Sequence, residues 1–141
     1  MQRPIHNIIN SAHTLGACRK LDKISDYRTL VAAFFSPQGQ EFCEKYRYPS
    51  IEALREIKDD VKPRGVYVDC GDVEIKGKKN VCLAGDTHAE IYVYGVRFTH
   101  TVVLMHGASA TIHAENYAVV KVVNIGGGKV NINKDKTVVV L

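Results

Sequence analysis

The sequence contains no tryptophan, four cysteines in 141 residues and no Cys-x-x-Cys pair. Cys18, Cys43, Cys70 and Cys82 are too scattered for a zinc motif and too sparse for the disulfide scaffold of a small secreted domain. Reduced, partly buried thiols are the expectation. No stretch approaches the ~20 apolar residues of a membrane-spanning helix. The box Leu15–Cys18 matches a lipoprotein cleavage site, yet two His, two Asn, a Ser and a Thr interrupt the segment before it, where an apolar run is required. A soluble, cytoplasmic protein with no membrane partner is expected. Charge of one sign is also missing. Residues 1–64 hold 11 Lys/Arg against 8 Asp/Glu, and residues 65–141 hold 8 against 7. The net charge of +4 is therefore spread out, without the basic stripe of a nucleic-acid binder. The cluster from Lys76 to Asn80 reads as a solvated turn.

Hydrophobic residues make up 45% and charged residues 24%, a globular balance that excludes disorder. The first part has helical periodicity. Ile5, Ile8, Ile9, Ala12, Leu15 and Cys18 recur at spacings of three and four. A second helix begins at Ser25 or Asp26 and buries Leu30, Val31, Phe34 and Phe35. Ser36 caps a third, with Pro37 in the first helical position and Phe42, Cys43 and Tyr46 facing inward. Ser50 caps the fourth, carrying Ile51, Leu54 and Ile57. Pro63 and Gly65 mark a boundary, giving a helical cap at 1–64 and a second region at 65–141.

Beyond Gly65 the composition turns to Val, Ile, Thr and Tyr punctuated by Gly, Asn and Asp, which is strand and turn chemistry. Ile91, Ile112 and Ile132 are 21 and 20 residues apart; Gly85, Gly107 and Gly127 are 22 and 20 apart. Within that period Ile91, Phe98, Leu104, Ile112, Val119, Ile125, Ile132 and Val139 step by five to eight as candidate inward residues. This double period predicts an α+β chain: a helical cap followed by a short single-stranded β-solenoid, three-faced, with glycines at its corners. An antiparallel β-sandwich is the alternative.

The ends of a solenoid expose unpaired strand edges, which caps usually cover. The helices are expected to cover the first rung, and Val138, Val139 and Val140 at the other end are candidates for pairing with a second copy. Tyr92, Tyr94 and Tyr117 are candidates for an exposed interface. Of the six histidines, His100, His106 and His113 step by six and seven. On a three-faced coil they diverge, so no metal site and no cofactor are expected. His106 and His113 remain the candidates if the chain is an enzyme. Asn124–Val130 resembles a phosphate loop, but it lacks the first glycine and the Ser/Thr that would hold magnesium.

The block Val81–Val139 resembles the short β-helices of bacterial and phage proteins, bactofilin-like cores among them, which implies end-to-end assembly. The hexapeptide acyltransferases are similar in shape and imply an enzymatic histidine between chains, though the step here is nearer seven. Ser36–Cys43 with the following Tyr-Pro-Ser is similar to small proteins of Bacteroides-type gut bacteria. The expected role is a non-catalytic binding or assembly module, acting on itself or a protein partner. The alternatives are a small acyltransferase-like or metal-dependent enzyme using solenoid histidines, or a nucleic-acid-associated regulator from a mobile element.

Overall fold

A computed structural model describes residues 3–14, 24 and 26–141, and the chain divides into two units, Met1–Arg64 and Gly65–Leu141. The first is helical: α1 (Arg3–Thr14), α2 (Tyr27–Phe35), α3 (Pro37–Tyr46), α4 (Ile51–Glu56) and α5 (Lys58–Val61), then a 3-10 turn at Lys62–Arg64. Leu15, Cys18 and Ser25 lie outside the described residues. Ile5 and Ile9 of α1 pack with Ile24 against Tyr27, Leu30 and Ala33. Asp26 caps α2 in a reciprocal box, accepting from the Thr29 N–H at 2.8 Å while Thr29 Oγ1 accepts from the Asp26 N–H at 3.1 Å. The Thr29 N–H, followed by the Thr29 hydroxyl, donates to the Asp26 carboxylate and holds it below its ordinary pKa, because only the charged form accepts both contacts fully. Ser36 and Ser50 cap α3 and α4. The expected fourth helix is two segments, since Ile57 at φ −115° donates to Leu54 O and leaves the α ladder. Tyr46 is not inward either: it is 38% exposed and lies against the Phe42 ring at 4.8 Å. Cys43 on the same helix is buried, and desolvation pushes its thiol up to about 12, so it is a neutral core group.

The second unit contains nine strands, all paired in parallel. They are β1 (Val66–Val68), β2 (Gly71–Lys76), β3 (Asn80–Ala84), β4 (Thr87–Tyr94), β5 (Thr99–Met105), β6 (Ser109–Glu115), β7 (Val119–Ile125), β8 (Val130–Lys134) and β9 (Val139–Val140). Odd strands form sheet A in the order β1-β3-β5-β7-β9, and even strands form sheet B in the order β2-β4-β6-β8. This is a parallel β-solenoid of about four turns, and helices followed by stacked strands make an α+β chain. Two sheets replace the expected three faces; the remaining sides are corners.

Register explains the sequence period. Val66 pairs with Cys82, Cys82 with Val103 and Val103 with Val123, so successive rungs advance by 16, 21 and 20 residues. Ile75, Ile91, Ile112 and Ile132 stack as one ladder. The core lies between the sheets and takes Ile91 and Ile112 from one and Leu83, Leu104 and Val120 from the other. Two inward assignments from the sequence are off by one: Val119 is half-buried beside buried Val120, and Val139 is exposed beside buried Val138. In a strand a one-residue slip reverses the face, and a run of valines leaves that parity unmarked. Phe98 packs edge-on against His100 in a corner rather than in the core.

The corner between the sheets repeats a left-handed residue in each rung: Asp69 (φ 50°), Gly85 (66°), His106 (53°) and Gly126 (66°). That column, rather than Gly85–Gly107–Gly127, is the repeating turn. Asp and His tolerate this conformation better than branched residues do. Asp69 also bonds forward, its Oδ1 accepting from the Asp86 N–H at 2.8 Å.

Asp135 holds the last corner. Its carboxylate accepts from the Thr137 N–H at 2.8 Å and the Asn116 N–H at 3.3 Å. The Thr137 hydroxyl bond, followed by its N–H, draws the pKa of Asp135 below the ordinary 3.8. A depressed folded-state pKa contributes stability that is complete above the unfolded value and lost as pH falls through the folded one. Protection of the Val138–Val140 amides from hydrogen exchange should therefore fall selectively below about pH 4. Asp135→Ala should show the low protection already at neutral pH, with no acid step. An unchanged acid step in that variant would assign the loss to another carboxyl.

Candidate functional site

Strict alternation gives sheet B one buried and one exposed face, as β4 (THAEIYVY) illustrates by burying Ala89, Ile91 and Val93 and exposing His88, Glu90 and Tyr94. Because the strands are parallel and in register, the outward side chains form columns spaced by about 4.8 Å. Asp72, His88 and Ser109 make one column; Glu74, Glu90, Thr111 and Asn131 make the next; Lys76, Tyr92, His113 and Asn133 make the third. Tyr94 pairs with Glu115 in a fourth.

Like charges in register repel, and Glu74 stands directly opposite Glu90. Each is drawn to a different base. Lys76 Nζ lies 3.0 Å from Glu74 Oε1, and this hydrogen bond raises the Lys76 pKa. His113 Nε2 lies 2.6 Å from Glu90 Oε2. The His113 ring is stacked on Tyr92 at 4.7 Å and 14°, and Lys76 Nζ sits 5.8 Å from the Tyr92 centroid. Imidazole and phenol planes are thus clamped parallel on the surface.

A second histidine is fixed in the first column. His88 Nδ1 lies 2.7 Å from Ser109 Oγ, and His88 Nε2 lies 3.1 Å from Asp86 Oδ1. Asp86 is itself held by its backbone, since its carbonyl accepts from the Gly71 N–H at 2.8 Å and its N–H donates to Asp69. The next residue, Thr87, is fully buried and donates to the Ala84 carbonyl at 2.9 Å. His88 and Ser109 border an open depression of about 500 Å³ on sheet B, lined also by Asp72, Glu90, Lys129 and Asn131 among others.

The sequence candidates are distributed as follows. Tyr92 and Tyr94 share the exposed face of sheet B, and Tyr94 is 56% exposed. Tyr117 occupies the corner after β6, 64% exposed at φ 63°. His113 is on sheet B, whereas His106 is in the left-handed corner after β5. The two histidines are not brought together. Val138 belongs to the core; Val139, Val140 and Leu141 are exposed. Among the described residues, no three of His, Cys, Asp and Glu form a group that could hold a metal ion, and no helix is long and apolar enough to cross a membrane.

The His88–Ser109 pair escaped the sequence reading although its signal was present. The two residues are 21 apart, one rung step on the isoleucine ladder. A search at that step for pairs of histidines alone passes over it.

No protein-family model matches the chain, and no curated protein and no solved structure matches it either.

Proposed function

We propose that this chain is a binding module whose working surface is the exposed face of sheet B, and that its ligand is a hydroxyl-rich polymer of the polysaccharide class. The observation that carries this reading is the register-aligned array of Tyr92, His113, Glu90, Thr111 and Asn131 beside an open depression. The exposed Tyr94 ring and the outer edges of the Tyr92–His113 stack offer flat apolar contact, while carboxylates accept hydrogen bonds from hydroxyls and carboxamides both accept and donate them. Protein interfaces are depleted in Asp and Glu; this face carries Asp72, Glu74, Glu90 and Glu115, which favours the hydroxylated ligand over the protein partner expected from sequence. Sheet ladders hold the array rigid, so little ordering cost falls on the protein when it binds.

Affinity electrophoresis through gels containing soluble neutral, acidic and basic polysaccharides tests it. Retardation by at least one is expected, and it should weaken about tenfold, or by about 1.4 kcal/mol, in Tyr92→Ala. Migration unaffected by every polymer would refute the reading.

Assembly of the bactofilin-like kind is the second reading. It is favoured by β8 and β9 standing at the edges of their sheets with Val139 51% and Val140 38% exposed, an arrangement open to edge pairing. Light scattering across a hundredfold concentration range separates the two: assembly predicts a mass that grows and then falls back in Val139→Lys, whereas binding through sheet B predicts a constant mass.

A further inference from the structure

The geometry points to a second capacity on this face: we infer that Ser109, His88 and Asp86 form a nucleophile–base–carboxylate relay that cleaves small acyl esters. The identity of the esterified carrier, a hydroxyl-rich polymer, rests on the binding reading above; the nucleophile does not. An ionised carboxylate accepts hydrogen bonds and donates none, so Asp86 Oδ1 at 3.1 Å from His88 Nε2 fixes the proton of the neutral ring on Nε2. The free Nδ1 lone pair then faces Ser109 Oγ at 2.7 Å and accepts its hydroxyl proton. This is the tautomer a general base requires, with the base oriented by a third group.

The backbone that carries the relay is anchored. His88 and Ser109 are held opposite each other by parallel register. The backbone of Asp86 is tied to the rung before by Gly71 and Asp69. On the far side of Ser109 is Lys129, whose carbonyl accepts from the Ala110 N–H at 3.1 Å and which lines the same depression. It is the lysine among the residues lining the depression, which makes its ammonium the candidate to stabilise a developing oxyanion.

The reaction balances with water as the only co-reactant. Ser109 Oγ attacks the ester carbonyl carbon while His88 Nδ1 takes the hydroxyl proton. The C–O bond to the alcohol breaks, and the leaving oxygen takes that proton. Water then attacks the acyl-serine, gives a proton to His88 and releases the carboxylic acid. Serine leaves with the proton held on His88, and the cycle closes. The depression is open, and its apolar lining is limited to the small side chains of Val73, Ala89 and Ala110 among charged and polar ones, so the acyl group it accepts is short, acetyl being the simplest.

The test treats the full chain with a fluorophosphonate probe and with p-nitrophenyl acetate. Peptide mapping should locate the phosphonyl adduct on Ser109. Ester hydrolysis should fall about a hundredfold or more in Ser109→Ala and in His88→Ala, the usual range for losing a nucleophile or positioned base. Asp86→Asn should lower the rate and shift its pH profile while leaving Ser109 in place. Equal hydrolysis by wild type and Ser109→Ala, or an adduct only on other residues, would overturn the inference, as would a folded wild type that neither labels nor turns over. Because these probes need no polymer, failure here leaves polysaccharide retardation unaffected, and failure of retardation leaves the relay standing. His88 and Ser109 are on the outer face of sheet B and Asp86 is exposed in the corner before it, and circular dichroism verifies that each variant keeps its fold.

Discussion

Ile112→Ala should remove about 2–5 kcal/mol from the solenoid, the range for truncating a fully buried isoleucine. Ile112 is 0% exposed and sits third in the ladder Ile75–Ile91–Ile112–Ile132. The loss combines the transfer free energy of the deleted carbons with the void they leave. Neighbouring rungs are fixed by continuous backbone ladders on both sheets, so the void closes poorly. A domain of this size has roughly 5–15 kcal/mol in total, and one truncation is a large share. Ile132, in the same ladder but only half-buried, should lose about half as much, in proportion to the area it removes from water. Urea unfolding followed by the β-sheet dichroism band measures both. Equal losses at the two positions would mean that the rungs do not share a continuous core.

Two glycines should separate conformational from steric cost. Gly107 has φ +86°, and a Cβ there would meet nothing within 4 Å. Gly127 does not need a positive φ, but a Cβ would lie 2.6 Å from Leu104 Cβ and 2.7 Å from Asn124 Oδ1. Gly107→Ala should cost roughly 1–2 kcal/mol, the penalty of left-handed backbone. Gly107→Asn should recover part of that, because Asn tolerates the region. Gly127→Ala should cost about 3 kcal/mol, toward the upper end for forced overpacking, since Leu104 is itself fully buried and cannot move aside. Gly127→Asn should be no better than Ala. Recovery by Asn at Gly127, or none at Gly107, would reverse these assignments. Thermal unfolding of the four variants decides it.

The solenoid was legible because register makes it so. A parallel coil places Ile91, Ile112 and Ile132 one rung apart, and that step is printed directly in the chain. Ile75 belongs to the same ladder but is 16 residues before Ile91 rather than 21, so a fixed-period search drops it. The helical caps at Asp26, Ser36 and Ser50 could be read because the first turn of a helix has orphan N–H groups that these side chains satisfy. The number of faces could not. Composition marks where a chain turns, and a corner and a short strand can have the same spacing. Parity within Val119–Val123 and Val138–Val140 was hidden for the same reason: identical side chains point both ways. The relay at His88 depends on knowing that residues 88 and 109 are opposite each other and that Asp86 curls back from the corner. The first fact follows from the period; the second belongs to the backbone.

The unequal rungs define where this chain can change length. From Lys76 to Asn80 there are four steps, whereas between their register partners Tyr92 and Thr101 there are nine. The five additional residues are absorbed at the corner that contains Gly95–Phe98, while both sheets stay in step on either side of it. A residue added within any strand would instead turn every later side chain in that strand inside out. Length is therefore free at one joint of the coil and quantised elsewhere. A tag, label or binding loop grafted between Gly95 and Phe98 would project from the solenoid without disturbing a single ladder, and growth at any other point must come as whole turns.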